Sequence, residues 1–142
     1  MKSSSLRKLL LFLCLFIGFG AVGGAIGMMA DPSGRLMGMD SLLVYFEVLP
    51  FSDVLFQNLF FPGLALLIVN GVTNLTAAGL LIAGKPAGIW LGTIFGVTLM
   101  LWITIQFIIF PLNAMSTAFF VFGLLQFLTG LALLSRRREK EA

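Results

Sequence analysis

Four amides lie inside the apolar stretches of this sequence, and all but Gln106, which is near the end of its stretch, could do chemistry together. Asn70 and Asn74 are four residues apart, and Gln126 lies in a later stretch. A helix would place the two asparagines on one face, one turn from each other. An amide that leaves water costs free energy unless it forms hydrogen bonds. We therefore expect Asn70, Asn74 and Gln126 to form one polar centre, which either bonds helices together or lines a site for a polar solute.

The sequence contains few residues of the types that catalyse reactions. The absence of His excludes histidine metal sites and His-based proton transfer, and the lone Cys14 excludes a pair of reactive cysteines. Outside the C-terminal tail, carboxylates occur only between the first two apolar stretches, at a spacing that matches no calcium loop. They are Asp31, Asp40, Glu47 and Asp53. We expect a non-enzymatic protein that uses no cofactor and no metal.

The composition indicates a membrane protein. Hydrophobic residues make up 59% of the 142 residues and charged residues 11%, against about 25% charged in soluble domains. Apolar stretches lie at about 9–30, 60–83, 87–109 and 115–134, and each can cross a hydrocarbon core of ~30 Å as a helix. None alternates in the manner of a barrel strand. The sequence predicts an all-α membrane protein with four transmembrane helices in a single domain, 1–142.

The first apolar stretch has the appearance of a secretory signal, because basic residues precede it. The stretch continues to Ala30, however, and this is too long for the hydrophobic part of a cleaved signal. We therefore expect an uncleaved first helix.

Lys and Arg residues predict the orientation of the spans. They precede the first span, occupy the turn after the second and follow the fourth. The first loop holds one basic residue, Arg35, and four acidic residues. By the positive-inside rule, both termini and the turn at Lys85 are expected in the cytoplasm. The formal charge of +3 therefore reflects membrane orientation, and we expect no nucleic-acid partner.

The connections predict how the helices are arranged. Gly84-Lys85-Pro86 and residues 110–114 form short turns, so the helices should form an antiparallel bundle. The one long connection is an outer loop, 31–59, after the first helix. It opens with Asp31-Pro32-Ser33-Gly34, a turn signature because Pro fixes φ and Gly tolerates a positive φ. Within the loop we expect a short helix over 41–49, on the outer membrane surface or over the bundle mouth.

Glycines mark the surfaces at which these helices should meet. Helices in lipid gain nothing from the hydrophobic effect when they associate, and glycine lets two backbones approach closely. Gly20 and Gly24 lie on the first span, and Gly88, Gly92 and Gly96 occupy every fourth position of the third. We expect these five glycines to pack against helices of this chain or of another.

Four short motifs carry a resemblance to a group of known proteins. They are Asp31-Pro32-Ser33-Gly34, Pro50-Phe51-Ser52-Asp53, Phe61-Pro62-Gly63 and Asn70-Gly71. In this pattern the chain resembles small four-helix bacterial integral membrane proteins of unassigned function, and the stretch 102–106 looks similar as well. The resemblance covers most of the chain. It implies a bacterial plasma membrane and supplies no activity.

Two functions fit these features. The first is a non-enzymatic membrane protein that binds a lipid or a partner membrane protein, or forms a homo-oligomer, as an accessory or structural component. The second is a transporter or channel subunit whose amides line a route for a neutral or weakly polar solute. The spans hold no acidic or basic residue at membrane depth, where ion-coupled carriers usually place one. The sequence therefore favours the first function.

Overall fold

The computed structural model describes residues 2–34, 58–109 and 114–141, and over these ranges the regular structure is helical. Helix α1 is Ser3–Ala30, α2 is Phe60–Ile82, α3 is Ala87–Ile109 and α4 is Ala114–Glu141. All four are long and apolar enough to cross a membrane. The all-helical prediction is therefore confirmed for the described residues.

Helices α1 and α4 extend beyond the predicted spans. Helix α1 begins at Ser3 and not at residue 9, and α4 continues past residue 134 to Glu141. The predicted bounds are those of the apolar residues. Apolar residues mark the part of a helix that suits hydrocarbon, and the helix can continue beyond them. Arg, Lys and Glu have high helix propensity, so the hydrogen-bonded turns continue through them.

Helix α2 contains an irregularity that its apolar pattern does not reveal. Phe60–Leu66 and Thr73–Ile82 are α-helical, whereas Leu67–Val72 are π-helical. In a π-helix each N–H bonds the carbonyl five residues earlier, so the turn holds an extra residue and the following side chains are rotated. Asn70 lies within this π-helical segment.

A glycine ends α2. Gly84 has a φ of 75°, and its N–H donates to the Leu81 carbonyl at 3.1 Å. The N–H of Lys85 donates to the Leu80 carbonyl at 2.9 Å. These two bonds form a Schellman-type end, in which the residue with positive φ is usually glycine. The tight turn predicted between the second and third helices is present.

A second glycine turns the chain after α1. The N–H of Gly34, whose φ is 81°, donates to the Asp31 carbonyl at 2.9 Å, so the turn predicted there is confirmed. The N–H of Leu59 donates to the Pro32 carbonyl at 2.8 Å, which brings the two ends of the 31–59 connection together. The helix predicted over 41–49 and the turn at 110–113 lie outside the described residues.

Helices α1 and α2 pack closely at glycines. A Cβ added at Gly63 would lie 3.0 Å from the Cβ of Met28, and one added at Gly71 would lie 3.1 Å from Val22. Contacts this short between helices require residues without side chains. Closer to the beginning of α1, Cys14 is fully buried in an apolar cluster, where it has the role of a small hydrophobe.

Candidate intramembrane polar centre

Six threonine hydroxyls in the helices are satisfied within their own helix. Each of six threonines donates to the carbonyl four residues earlier in its own helix, a common arrangement for hydroxyls in apolar surroundings. They are Thr73, Thr76, Thr93, Thr98, Thr104 and Thr129. Because these bonds stay within one helix, polar links between the helices depend on other side chains.

Gln126 provides such a link. It lies on α4, and none of its surface is exposed. Its Nε2 donates to Asn74 Oδ1 on α2 at 2.9 Å and to the Gly92 carbonyl on α3 at 2.7 Å. One side-chain nitrogen therefore joins three helices, and both bonds have ordinary hydrogen-bond lengths.

Asn74 connects this link to the π-helical segment. Its side chain is fully buried, and its Nδ2 donates to the Asn70 carbonyl at 2.8 Å. The amide of Asn74 thus accepts a bond from α4 and donates one within α2. Both ends of this side chain are used, so it has a fixed orientation in the centre.

Asn70 is buried like Asn74, but its side chain is not bonded in the same way. Only 1% of its surface is exposed, and within the described part of the chain its Oδ1 and Nδ2 have no hydrogen-bond partner. The Oε1 of Gln126 is likewise buried and unpaired among the described residues. Leaving such a group unpaired costs about 1 to 3 kcal/mol. These atoms are the part of the centre able to accept or donate a further bond.

The bonds within the centre are a result of the packing. The sequence predicts one polar centre of Asn70, Asn74 and Gln126, and within it Gln126 bonds Asn74. Asn70 lies one helical turn earlier on α2, and its carbonyl accepts the bond from Asn74. One turn of a helix is ~5.4 Å, so which asparagine meets α4 depends on how far the two helices are displaced along each other.

The glycines of α3 meet three different helices. A Cβ at Gly88 would lie 2.7 Å from the backbone of α2, one at Gly92 would lie 3.2 Å from Leu10 of α1, and one at Gly96 would lie 2.8 Å from the Phe127 nitrogen of α4. Positions four apart differ by about 40° around a helix, so the stripe turns from one neighbour to the next. Gly92 also contributes its carbonyl to the centre, a role that spacing does not indicate.

On α1 the predicted glycine Gly20 makes no contact within the described part of this chain. This residue is exposed, and a Cβ there would meet nothing within 4 Å. Helix α1 instead buries Gly18, whose added Cβ would lie 2.8 Å from Leu75. A separation of two residues is about 200° around a helix, so Gly20 points away from α2 when Gly18 faces it. Gly24 is intermediate, 3.4 Å from Leu66 by the same measure.

Basic side chains gather at one end of the helices. Arg7 Nη2 donates to the Leu81 carbonyl at 3.1 Å, and Arg136 Nη1 donates to Ser3 Oγ at 3.3 Å. These bonds join the beginning of α1 to the end of α2 and to the C-terminal part of α4. In the sequence the basic residues indicate orientation only. Their bonding partners depend on how the helices pack, which residue type and spacing do not specify.

No family model, curated protein or solved structure matches this chain. The resemblance to small four-helix bacterial membrane proteins therefore stays a prediction. The polar centre and the basic end are the features of the described residues that bear on function.

Proposed function

We propose that this protein is a non-enzymatic, multi-pass protein of the bacterial plasma membrane that binds a lipid or a partner membrane protein as an accessory or structural component. The observation that carries this proposal is the bonding of Gln126. Its Nε2 holds α4 to both Asn74 and the Gly92 carbonyl, and this use of the amide favours a fixed interior. In such a protein, binding takes place on the outer faces and at the ends of the helices.

In this proposal the helices form an antiparallel bundle. Close contacts between α3 and α4 support it, because they run in opposite order along the two helices. Gly130 lies against Thr93, whereas Gly123 lies against Leu99, at 3.3 Å from an added Cβ. A higher residue number in one helix thus corresponds to a lower number in the other.

Both termini are placed in the cytoplasm in this proposal. The bonds of Arg7 and Arg136 support this placement, because they bring the basic ends of α1 and α4 to the end of α2 that carries the Lys85 turn. Under the positive-inside rule, an end so rich in Lys and Arg faces the cytoplasm. The 31–59 connection is then on the outer side.

Native mass spectrometry of the purified protein tests the proposed role. After extraction in a mild detergent we expect each copy to retain at least one phospholipid or one stoichiometric protein partner. The control is a membrane protein of similar size with no lipid requirement, taken through the same extraction. A chain that retains neither lipid nor partner while it keeps its helical content would contradict the proposal.

Asn70 favours a second function, a transporter or channel subunit for a neutral or weakly polar solute. Its amide is buried and, among the described residues, unpaired, and it lies in a π-helical segment, a feature frequent at functional sites. Swelling of proteoliposomes in glycerol or urea tests this function. Under our first proposal, swelling should equal that of protein-free vesicles.

The variant Asn70→Leu separates the two functions. If the native protein gives solute flux and Asn70→Leu abolishes it without lowering the melting temperature, the transport function is the correct one. If Asn70 has only a structural role, its replacement by a similarly sized apolar residue leaves flux at background and keeps or raises stability, because an unpaired buried amide is removed.

A further inference from the structure

The basic end of the helices contains two adjoining depressions. One, of 270 Å³, is lined by Ser4, Arg7, Lys8, Leu11 and Leu81. The other, of 190 Å³, is lined by Ser3, Arg7, Ile89, Leu133, Arg136 and Arg137. Arg7 belongs to both. The smaller depression alone has room for about six waters at ~30 Å³ each, which is enough for a phosphate group.

The guanidinium groups at these depressions are held in place by the fold. Arg7 is half-buried and bonds the Leu81 carbonyl, close to the C-terminus of α2, where the helix dipole favours a cation. Arg136 bonds Ser3 Oγ. A guanidinium has five N–H donors, and each of these bonds uses a single nitrogen. Donors therefore remain on both side chains, and little ordering is needed for them to bind an anion.

The charge of the smaller depression favours an anionic ligand. Arg7 and Arg136 both line it, so two guanidinium groups with remaining donors border a space of 190 Å³. Two cations at one depression attract an anion. Guanidinium groups bind phosphate oxygens with paired, charge-assisted hydrogen bonds.

The apolar walls indicate which phosphate. Ile89 and Leu133 line the depression that Arg7 and Arg136 border, and Leu11, which is only half-buried, lines the adjoining one. A free phosphate has no apolar part to cover such side chains. A phospholipid carries its phosphate directly beside glycerol and acyl chains, at the depth where a span leaves the hydrocarbon core.

From these observations we infer that the basic end is a binding site for an anionic phospholipid, with the lipid phosphate held by Arg7 and Arg136. Basic pockets between helices on the cytoplasmic side of a membrane are suited to anionic head groups. The inference rests on the proposed function, since it names the lipid that such an accessory protein binds. Beyond the proposed function, it specifies the site, the chemical class of the lipid and the two residues that bind its phosphate.

Lipid titration followed by native mass spectrometry tests the site. The full-length protein in detergent is titrated with phosphatidylglycerol and, separately, with phosphatidylcholine of the same acyl chains. We expect phosphatidylglycerol to bind at least fivefold more tightly. The variant Arg136→Gln, which can still hydrogen-bond Ser3, should weaken phosphatidylglycerol binding by about fivefold, the effect of one basic residue near an anionic surface.

A matched control separates the site from general surface charge. Lys85→Gln removes one positive charge at the same end but from a residue that lines neither depression, so binding should change by less than twofold. An equal loss in Lys85→Gln and Arg136→Gln would overturn the site. The Arg7→Lys variant keeps the positive charge and a donor for the contact to α2, so it controls for misfolding. It should bind phosphatidylglycerol more tightly than Arg7→Gln.

Three further outcomes would overturn the inference. If inorganic phosphate at millimolar concentration displaces phosphatidylglycerol, the site recognises free phosphate and the lipid inference is wrong. Equal binding of phosphatidylglycerol and phosphatidylcholine would overturn the anionic site while leaving the proposed lipid-binding role intact. Binding of neither lipid would overturn the site and leave a partner membrane protein as the ligand in the proposed function.

Discussion

The bond between Gln126 and Asn74 predicts a measurable coupling between α4 and α2. Gln126→Leu removes both bonds of Nε2, one to Asn74 and one to the Gly92 carbonyl. Side-chain hydrogen bonds in membrane proteins average ~0.6 kcal/mol and reach ~1.7 kcal/mol. The free energy of unfolding should therefore fall by about 1 to 3 kcal/mol in Gln126→Leu.

The double variant isolates the shared bond. Asn74→Leu alone removes the bond from Gln126 and the bond to the Asn70 carbonyl. If Gln126 and Asn74 are bonded, the two single effects count this contact twice. The double variant should then lose less stability than the sum of the single variants, by about 0.6 to 1.7 kcal/mol.

Unfolding in mixed micelles provides the assay. The mole fraction of a denaturing detergent is raised in steps, and helix content and tryptophan fluorescence are followed to obtain the four free energies of the cycle. The control cycle combines Gln126→Leu with Thr104→Val, because Thr104 bonds only a carbonyl of its own helix. The control should be additive.

Additivity in the test cycle would refute the reasoning. If the effects of Gln126→Leu and Asn74→Leu sum to within ~0.3 kcal/mol, the two amides do not interact. The proposal of a fixed interior would then lose the observation on which it rests. A coupling in the cycle of Asn70→Leu with Gln126→Leu but not in this one would instead place the contact of α4 at Asn70.

Two other predictions follow from the packing and the charges. Gly96→Ala should lower the free energy of unfolding by about 1 to 3 kcal/mol, because its Cβ would meet the backbone of α4. The control, Gly20→Ala, places its Cβ in open space and should be neutral or stabilising. Equal melting temperatures for the two variants would contradict the contact at Gly96. In a cysteine-free background, single cysteines that replace Ser3 and Lys85 should not be labelled by a membrane-impermeant thiol reagent in intact cells, whereas one that replaces Asp40 should be labelled. Labelling at position 85 from outside would contradict the proposed orientation.

The sequence by itself determined the helices and two of the turns. Apolar stretches long enough to span a membrane predicted four helices, because in hydrocarbon a chain segment has to satisfy its own backbone hydrogen bonds. Gly34 and Gly84 marked tight turns, and both have the positive φ that glycine tolerates. These features depend on composition within one segment, so no knowledge of neighbouring segments was needed.

Tertiary structure decided which side chains meet. A helix that is apolar on all sides carries no signal for the face that will be covered, since lipid and protein are similarly apolar surroundings. The sequence therefore indicated a contact at Gly20, which meets nothing within the described part of this chain, and not at Gly18. It grouped Gln126 with Asn70 and Asn74 without indicating that Asn74 is the one bonded to Gln126. Rotation by ~100° per residue and displacement by ~5.4 Å per turn separate these alternatives. Both quantities are set only when the four helices pack together.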